Sequence, residues 1–283
     1  MEPIISLGEI TMEPIVLFRK GMESENELEI AKKHFRITEH RTECAYDRLV
    51  IPRYSALPYY RELEQDLKNL GCRLINSYEQ HRWVADFDYY EDLKEFTPES
   101  WDEHDFPYAN HAGPFVVKGR TNSRKFEWNK LMFAPTKRDA VRIGADLCLD
   151  GLIGPQGVIY RKYVPLRTYE IGINGLPFTN EWRFFMLGQK TLSHGYYWST
   201  ADDVTLGQLD ANALDLVEKV AVIASQNINF YVLDIAQTEE GNWILIEVND
   251  GSMSGLSEND PDTLYFELRK GIYGLGNERA KGT

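Results

Sequence analysis

The chain has little of what several common protein classes require. Its 283 residues include three cysteines, Cys44, Cys72 and Cys148, an odd number at wide spacing. That argues against a disulfide frame or a zinc site and fits reduced thiols in a cytoplasmic protein. Basic charge is also short: 31 Lys and Arg stand against 44 Asp and Glu, a formal net charge of −13. Coating nucleic acid or anionic lipid needs a basic surface, so neither nucleic acid nor membrane is expected as a partner. A local basic pocket is still allowed. Long apolar runs are missing. The longest clean one in the later half is Val220–Ala224, against the roughly 20 residues of a membrane span. The opening Met-Glu-Pro-Ile-Ile lacks a basic region leading into an apolar block, so no secretory signal is read there. Repeats and low-complexity tracts are absent too. Among motifs, there is no His-Glu-x-x-His, no Gly-x-Ser-x-Gly, no Gly-x-Gly-x-x-Gly and no Walker P-loop. What is present is an ordinary folded composition, 43% apolar and 12% aromatic. The length fits two domains or one elaborated α/β unit.

Charge is distributed unevenly. Residues 86–105 hold nine acids against Lys94 alone, which reads as a solvated connector. Residues 117–142 hold eight bases against Glu127 and Asp139 and begin inside an apparent strand. Ahead of these, Ile15–Phe18 and Leu49–Ile51 are short strand-type runs. Ser55 to Leu70 reads as a helix, with Pro58 in its first turn and Gly71 as its stop. Cys72 to Ile75 reads as the next strand, and strand–helix–strand in this order predicts a parallel α/β layer. A boundary is expected in the proline-bearing segment from Pro98 to Pro114. Beyond it the pattern predicts a strand at Pro114–Lys118, a helix from Thr136 to Asp150 with Thr136 as cap, and a strand at Val158–Val164. A hairpin is expected around Gly188-Gln189. Ala213 to Ala224 reads as a helix, followed by a last pair of strands, Phe230–Ala236 and Trp243–Val248.

The last hairpin carries the sharpest signal. If Glu240 and Gly241 are its two central turn residues, Asp234 faces Glu247. Strand alternation then places Asn249 on the same face as Glu247. Two opposed carboxylates in an apolar sheet repel, and burying them is costly without compensation. A divalent cation would compensate, and oxygen donors from Asp, Glu and Asn suit Mg²⁺. The competing reading is a polar, outward strand face with no metal. The small-residue loop Gly251-Ser-Met-Ser-Gly255 follows directly and can bring backbone close to a ligand.

Several bases could meet an anion. Lys118 ends the run Phe-Val-Val-Lys and either snorkels to solvent or points into a cleft. The following loop, Gly119 to Lys125, is rich in cations and small hydrogen-bonding residues that suit phosphate oxygens. Arg161 and Lys162 lie within a strand, where they could equally be edge charges. Arg183 lies among Trp182, Phe184 and Phe185; the turn at Gly188-Gln189 puts it opposite His194. It would bind an anion or pair with a nearby acid, Glu181 or one of the hairpin carboxylates.

With these elements in order, the sequence resembles the ATP-grasp superfamily. Pro114-Phe-Val-Val-Lys118 is similar to the family's lysine-bearing strand, Tyr160–Val164 to its adenine-side hinge, and Glu181-Trp-Arg183-Phe-Phe to its phosphate-binding arginine strand. Asp234 with Glu247-Val-Asn249 resembles its metal triad. The implied fold is mixed α/β and α+β. Two α+β lobes (about residues 110–165 and 166–270 of a grasp domain 106–283) clasp a nucleotide, and a small parallel α/β domain, residues 1–105, precedes them. The loop after the lysine strand is not glycine-rich as is usual in the family, and Arg161 stands where an acid is frequent, which marks a divergent branch.

The resemblance implies an ATP-dependent ligase. A small-molecule or peptide carboxylate would be activated as an acyl phosphate and attacked by an amine or thiol, with release of ADP and phosphate. It implies that Lys118 and Lys125 contact phosphates, and that Arg161, Lys162, Tyr163 and Val164 line the nucleotide pocket. Arg183 would stabilise the transferring group, and Asp234, Glu247 and Asn249 would hold Mg²⁺. Phosphoryl transfer relies on positioning and charge neutralisation and needs no protein nucleophile. A small-molecule kinase and a non-catalytic nucleotide-binding module are the alternatives. Asn76, Arg82 and the loop Ser252–Ser254 are candidates for substrate contact, and a homodimer is the commonest assembly for a soluble enzyme.

Overall fold

The computed structural model describes residues 12–19, 25–44, 46–198 and 207–279, and the opening segment read for a signal lies outside them. The first layer is a parallel sheet of four strands, β1 (Ile15–Leu17), β2 (Arg36–Thr38), β3 (Leu49–Pro52) and β4 (Arg73–Leu74), in the order β2-β1-β3-β4. Its two central strands, β1 and β3, are entirely apolar because helices cover both faces. Helix α1 (Glu25–His34) is not foreseen by periodicity, since its apolar positions are few and interleaved with charge. Helix α2 (Tyr60–Asn69) starts later than expected. The Leu57–Pro58 peptide is cis, and Pro58 precedes the helix instead of sitting in its first turn. Helix α3 (Tyr78–Ala85) opens with a capping box, in which the Ser77 hydroxyl accepts from the Gln80 amide while the Gln80 side chain accepts from Ser77.

The acidic stretch after α3 is not a solvated connector. Its residues form α4 (Tyr89–Leu93), which buries Tyr89 and Leu93, and β5 (Ser100–Trp101). Acids occupy the outer faces while these few apolar residues pack inward. Strand β5 joins an antiparallel sheet with β6 (Phe115–Gly119), β7 (Phe133–Ala134) and β8 (Val158–Lys162), in the order β5-β8-β6-β7. Residues 100–101 thus belong to the sheet of the lysine strand, across the sequence boundary drawn at 105/106. Helix α5 (Lys137–Cys148) covers one face, capped by Thr136 as expected. A two-stranded ribbon, β9 (Thr168–Ile171) and β10 (Pro177–Thr179), leads onward.

The last sheet has the order β12-β11-β13-β14 and is antiparallel throughout: β11 (Glu181–Leu187), β12 (Lys190–Tyr196), β13 (Phe230–Gln237) and β14 (Trp243–Asp250). Helices α6 (Ala211–Ala224) and α7 (Pro261–Arg279) complete the chain's regular structure. One face of this sheet, with Leu233, Ile235, Leu245 and Val248, packs on α6 and on residues of α3 and α4. The other face is apolar at one end, where Phe185, Leu187, Phe230 and Val232 share a core with the parallel layer and α7. At the other end it turns polar. The β5–β8 sheet has its own core with α5, built on Phe115, Val117, Ile143 and Tyr160.

Candidate active site

Register decides what the polar end of the last sheet presents. Asp234 pairs with Glu247, as the hairpin arithmetic required, but two offsets are involved. The turn is one residue longer than expected: the Thr238 amide donates to the Asn242 carbonyl, and Gly241 takes φ +92°, which favours glycine. A β-bulge between Asp234 and Ile235 inserts Ile246 on the partner strand and restores the pairing. The bulge also leaves both Ile246 and Glu247 on the cleft. In the neighbouring hairpin a bulge between Phe185 and Met186 adds Leu192 on the partner strand, and no turn offset cancels it. Arg183 pairs with Gly195, and His194 pairs with Phe184, so the expected Arg183–His194 opposition is overturned.

Arg183 instead meets Asp234, its direct neighbour on β13. Its Nε and Nη2 donate to the two carboxylate oxygens, each at 2.8 Å, and its Nη1 donates to the Gly255 carbonyl at 2.8 Å. The guanidinium also lies 4.8 Å from the Tyr197 ring. Lys118, buried at the end of β6, donates to Glu247 across 129 residues of chain. Asn249 donates to Asp234 at 3.3 Å. The two opposed acids are therefore neutralised by Lys118 and Arg183, so charge compensation by itself does not require a metal ion. The lysine points into the cleft instead of snorkelling, and the arginine takes the ion-pair alternative. Burial of the Asp234 carboxyl raises its pKa despite Arg183, and Lys118 holds that of Glu247 below the usual range against its burial.

The remaining bases divide. Arg161 is buried; it donates to the Ile246 carbonyl and, at 3.0 Å, to the Ser100 hydroxyl, so it clamps the bulge. It is not an edge charge. Lys125 lies 4.7 Å above the Tyr197 ring and 5.3 Å from that of Trp198, and burial lowers its pKa. Two other cations of its loop turn away from the cleft. Arg124 pairs with Asp150, and Arg120 donates to the Asp86 carbonyl at 3.2 Å. Thr121 and Asn122 hold Gln156. Ser123 and Lys125 line the smaller of two cavities at this cluster, and Thr121, Asn122 and Ser123 line the larger.

Two cavities meet at this cluster. The smaller, about 140 Å³, has apolar walls from Val116, Met132, Leu176, Ile244 and Ile246. Arg161, Lys162, Tyr163 and Val164 edge it, although the Lys162 side chain is exposed. The second, about 310 Å³, is more polar and is bounded by Arg183, Asn249, Ser254 and Gly255, with Ser55 and His81 from the N-terminal layer. Lys118, Glu247, Ser123 and Tyr197 line both. Among the candidate substrate contacts, Ser254 reaches the second cavity. Arg82 is half-exposed and pairs with Asp86, while Asn76 is buried and bonds to Asp250 at 2.9 Å.

Sequence reasoning weighed Glu181 only as an ion-pair partner for Arg183 and missed Tyr197. Glu181 is buried two residues before Arg183, and burial, with Asp234 nearby, pushes its carboxyl up to about 8. Strand alternation from Arg183 was the signal that could have found it. Tyr197 follows β12 and carried no motif.

The geometry matches known proteins. A search of curated sequences finds no match. Among solved structures, the chain superposes on the D-cycloserine synthetase DcsG with a TM-score of 0.59 at 14% identity, covering 91% of this chain and 99% of that one. D-alanine–D-alanine ligase from Bacillus anthracis, solved with ATP, gives 0.57 at 12% identity over 95% and 100%. The ATP-grasp ligase PsnB, solved with a minimal precursor, gives 0.54 at 10% identity over 93% and 99%. At these identities the likeness shows the fold. A family model for the ATP-grasp domain, R₂K clade family 3, matches residues 107–268, more than half of the chain, and the protein therefore belongs to the ATP-grasp superfamily in that clade.

Proposed function

We propose that the protein is an ATP-dependent ligase that activates a carboxylate as an acyl phosphate for attack by an amine or thiol, releasing ADP and phosphate. The observation that carries this reading is the pair of cavities joined at Lys118 and Glu247. An apolar slot suits a base, and a polar chamber on the far side of the charged cluster suits a second molecule. Phosphates would lie between them. Lys118, Lys125 and Arg183 supply positive charge there in a chain of net charge −13. Glu247 and Asn249, with Asp234 behind them, offer the oxygen donors that Mg²⁺ takes. When bound, Mg²⁺ neutralises phosphate charge. Arg183 adds positive charge beside the transferring group with the N–H groups that Asp234 and Gly255 leave free, and Lys118 can exchange Glu247 for a phosphate oxygen. The ligases named among the structural relatives favour this reading over a kinase or a non-catalytic module.

Thermal unfolding with and without MgATP tests the nucleotide site first. A ligand at 100 times its dissociation constant stabilises by ~2.7 kcal/mol, which moves the midpoint by several degrees in a protein of this size. The shift should require Mg²⁺ and shrink in Glu247→Gln. ADP release is then measured with acids and amines supplied separately and together. Release only with both identifies a ligase, and release with one acceptor that becomes phosphorylated identifies a kinase. A thermal shift without release under any pairing would leave a binding module.

A further inference from the structure

The second cavity contains a proton acceptor that no part of the phosphate chemistry uses. His81, on α3, lines it together with Lys118, Arg183 and Glu247. Its Nδ1 lies 3.1 Å from Asp250 Oδ2 at the end of β14. Asp250 is itself fixed: its Oδ1 accepts from the Asn76 amide at 2.9 Å and from the Ser252 backbone amide at 2.8 Å. The imidazole stacks on Tyr60 of α2, with ring centroids 4.0 Å apart and an interplanar angle of 2°. The Tyr60 hydroxyl donates to the Asn76 carbonyl at 2.9 Å. Ring position, ring plane and carboxylate are therefore all set by the surroundings. With Nδ1 turned to Asp250, Nε2 is the nitrogen left to meet a molecule in the cavity. The other proton acceptors on this wall are committed, Glu247 to Lys118 and Asp250 to His81, Asn76 and Ser252.

We infer that His81, oriented by Asp250, is the general base for an amine nucleophile bound in the 310 Å³ cavity. The inference rests on the ligase reading above. As the amine attacks the acyl phosphate, its lone pair forms the C–N bond. The bond between the acyl carbon and the phosphate oxygen breaks, and its electron pair leaves with phosphate. The N–H proton passes to His81 Nε2, and Asp250 stabilises the imidazolium through Nδ1. Asp250 is a positioning residue, because it acts through the ring. The charged and titratable groups that meet His81 are Asp250 from β14 and Tyr60 from α2, and Lys118, Arg183, Glu247 and Tyr197 line the same cavity.

Two measurements test this on the full chain. Nitrogen-15 histidine NMR of the wild type reads the tautomer; the neutral ring of His81 should carry its proton on Nδ1 and leave Nε2 bare, and Asp250→Asn should weaken that preference. Turnover is followed with MgATP labelled with oxygen-18 in the β,γ-bridge and a pool of the proteinogenic amino acids as both acids and amines. Bridge-to-nonbridge exchange reports acid activation, and amide product reports the complete reaction. His81→Gln should keep exchange within about threefold and lose amide formation by ~100-fold or more. A proton on Nε2 in the wild type, amide formed at the wild-type rate by the variant, or exchange and amide falling together would each overturn the base assignment while the ligase reading stands. A wild-type chain with no exchange would overturn the ligase reading and the base assignment with it.

Discussion

Arg183 and Asp234 are buried, paired through two parallel hydrogen bonds, and dependent on each other. Breaking such a pair leaves one uncompensated buried charge at a cost of ~3–5 kcal/mol, whereas apolar replacement of both partners is often neutral or stabilising. Arg183→Ala should therefore lower stability by about that amount, measured by urea unfolding, and Arg183→Met with Asp234→Leu should recover most of it. Both variants should lose ADP release. If the double variant turned over ATP, the charged cluster would not be the phosphate site. Glu181 adds a pH dependence. Its carboxyl holds its proton up to about 8 in the folded chain, against an ordinary value of 4.5, because burial disfavours the ion. The folded state thus binds more protons than the unfolded one between those limits. Stability from this group is present below pH 4.5 and is lost as pH rises towards 8, by at most ~1.4 kcal/mol per pH unit. Glu181→Gln should gain midpoint over wild type progressively from pH 5 to about pH 8 in thermal melts and then level off. A pH-independent difference would contradict the assigned cause.

At the scale of elements, bulges do much of the positioning. Asp234 meets Glu247 because a longer turn and a bulge at Ile246 cancel. Deleting Ile246 should remove the bulge and leave Asp234 opposite Glu247, while Arg161 loses the carbonyl that it clamps, and ADP release should fall; a deletion variant with wild-type release would show that the bulge is dispensable. Periodicity finds the helices with clean apolar stripes, α2, α5 and α6, and it finds the strands bounded by glycine turns. It misses α1, α3, α4 and α7; in α1 and α4 acids and lysines dilute the apolar positions and burial rests on Ala31 or on Tyr89 and Leu93. It cannot see the second bulge either, which is why the sequence puts His194 opposite Arg183. A hairpin turn sets register at its own end, but an extra residue further along leaves no mark in local sequence. The cap at Thr136 is legible, since its hydroxyl accepts from the Asp139 amide. Thr136→Ala should cost ~1 kcal/mol in urea unfolding.

For the whole molecule, the parallel layer and the last sheet share one apolar core, whereas the lysine strand's sheet has a core of its own. The cleft lies between these units, bridged by Lys118–Glu247 and by Arg161 on the Ile246 carbonyl. MgATP should therefore slow amide exchange in residues 115–119 and 158–162 together with residues 244–249, as both sides of the cleft tighten on one ligand. Protection confined to one side would argue against a clasped nucleotide. The sequence by itself determined the order of the strands and helices with clear patterns, the alternation that puts Glu247 and Asn249 on one face, and the family they resemble, because these follow from local spacing. Only the tertiary structure decided which faces meet. Strand β11 lies against β13 across a connection of more than forty residues, which is what brings Arg183 onto Asp234. Lys118 and His81 arrive from other units of the fold. Local periodicity specifies the face of an element that is buried or polar, but the partner of that face is chosen by packing among distant segments.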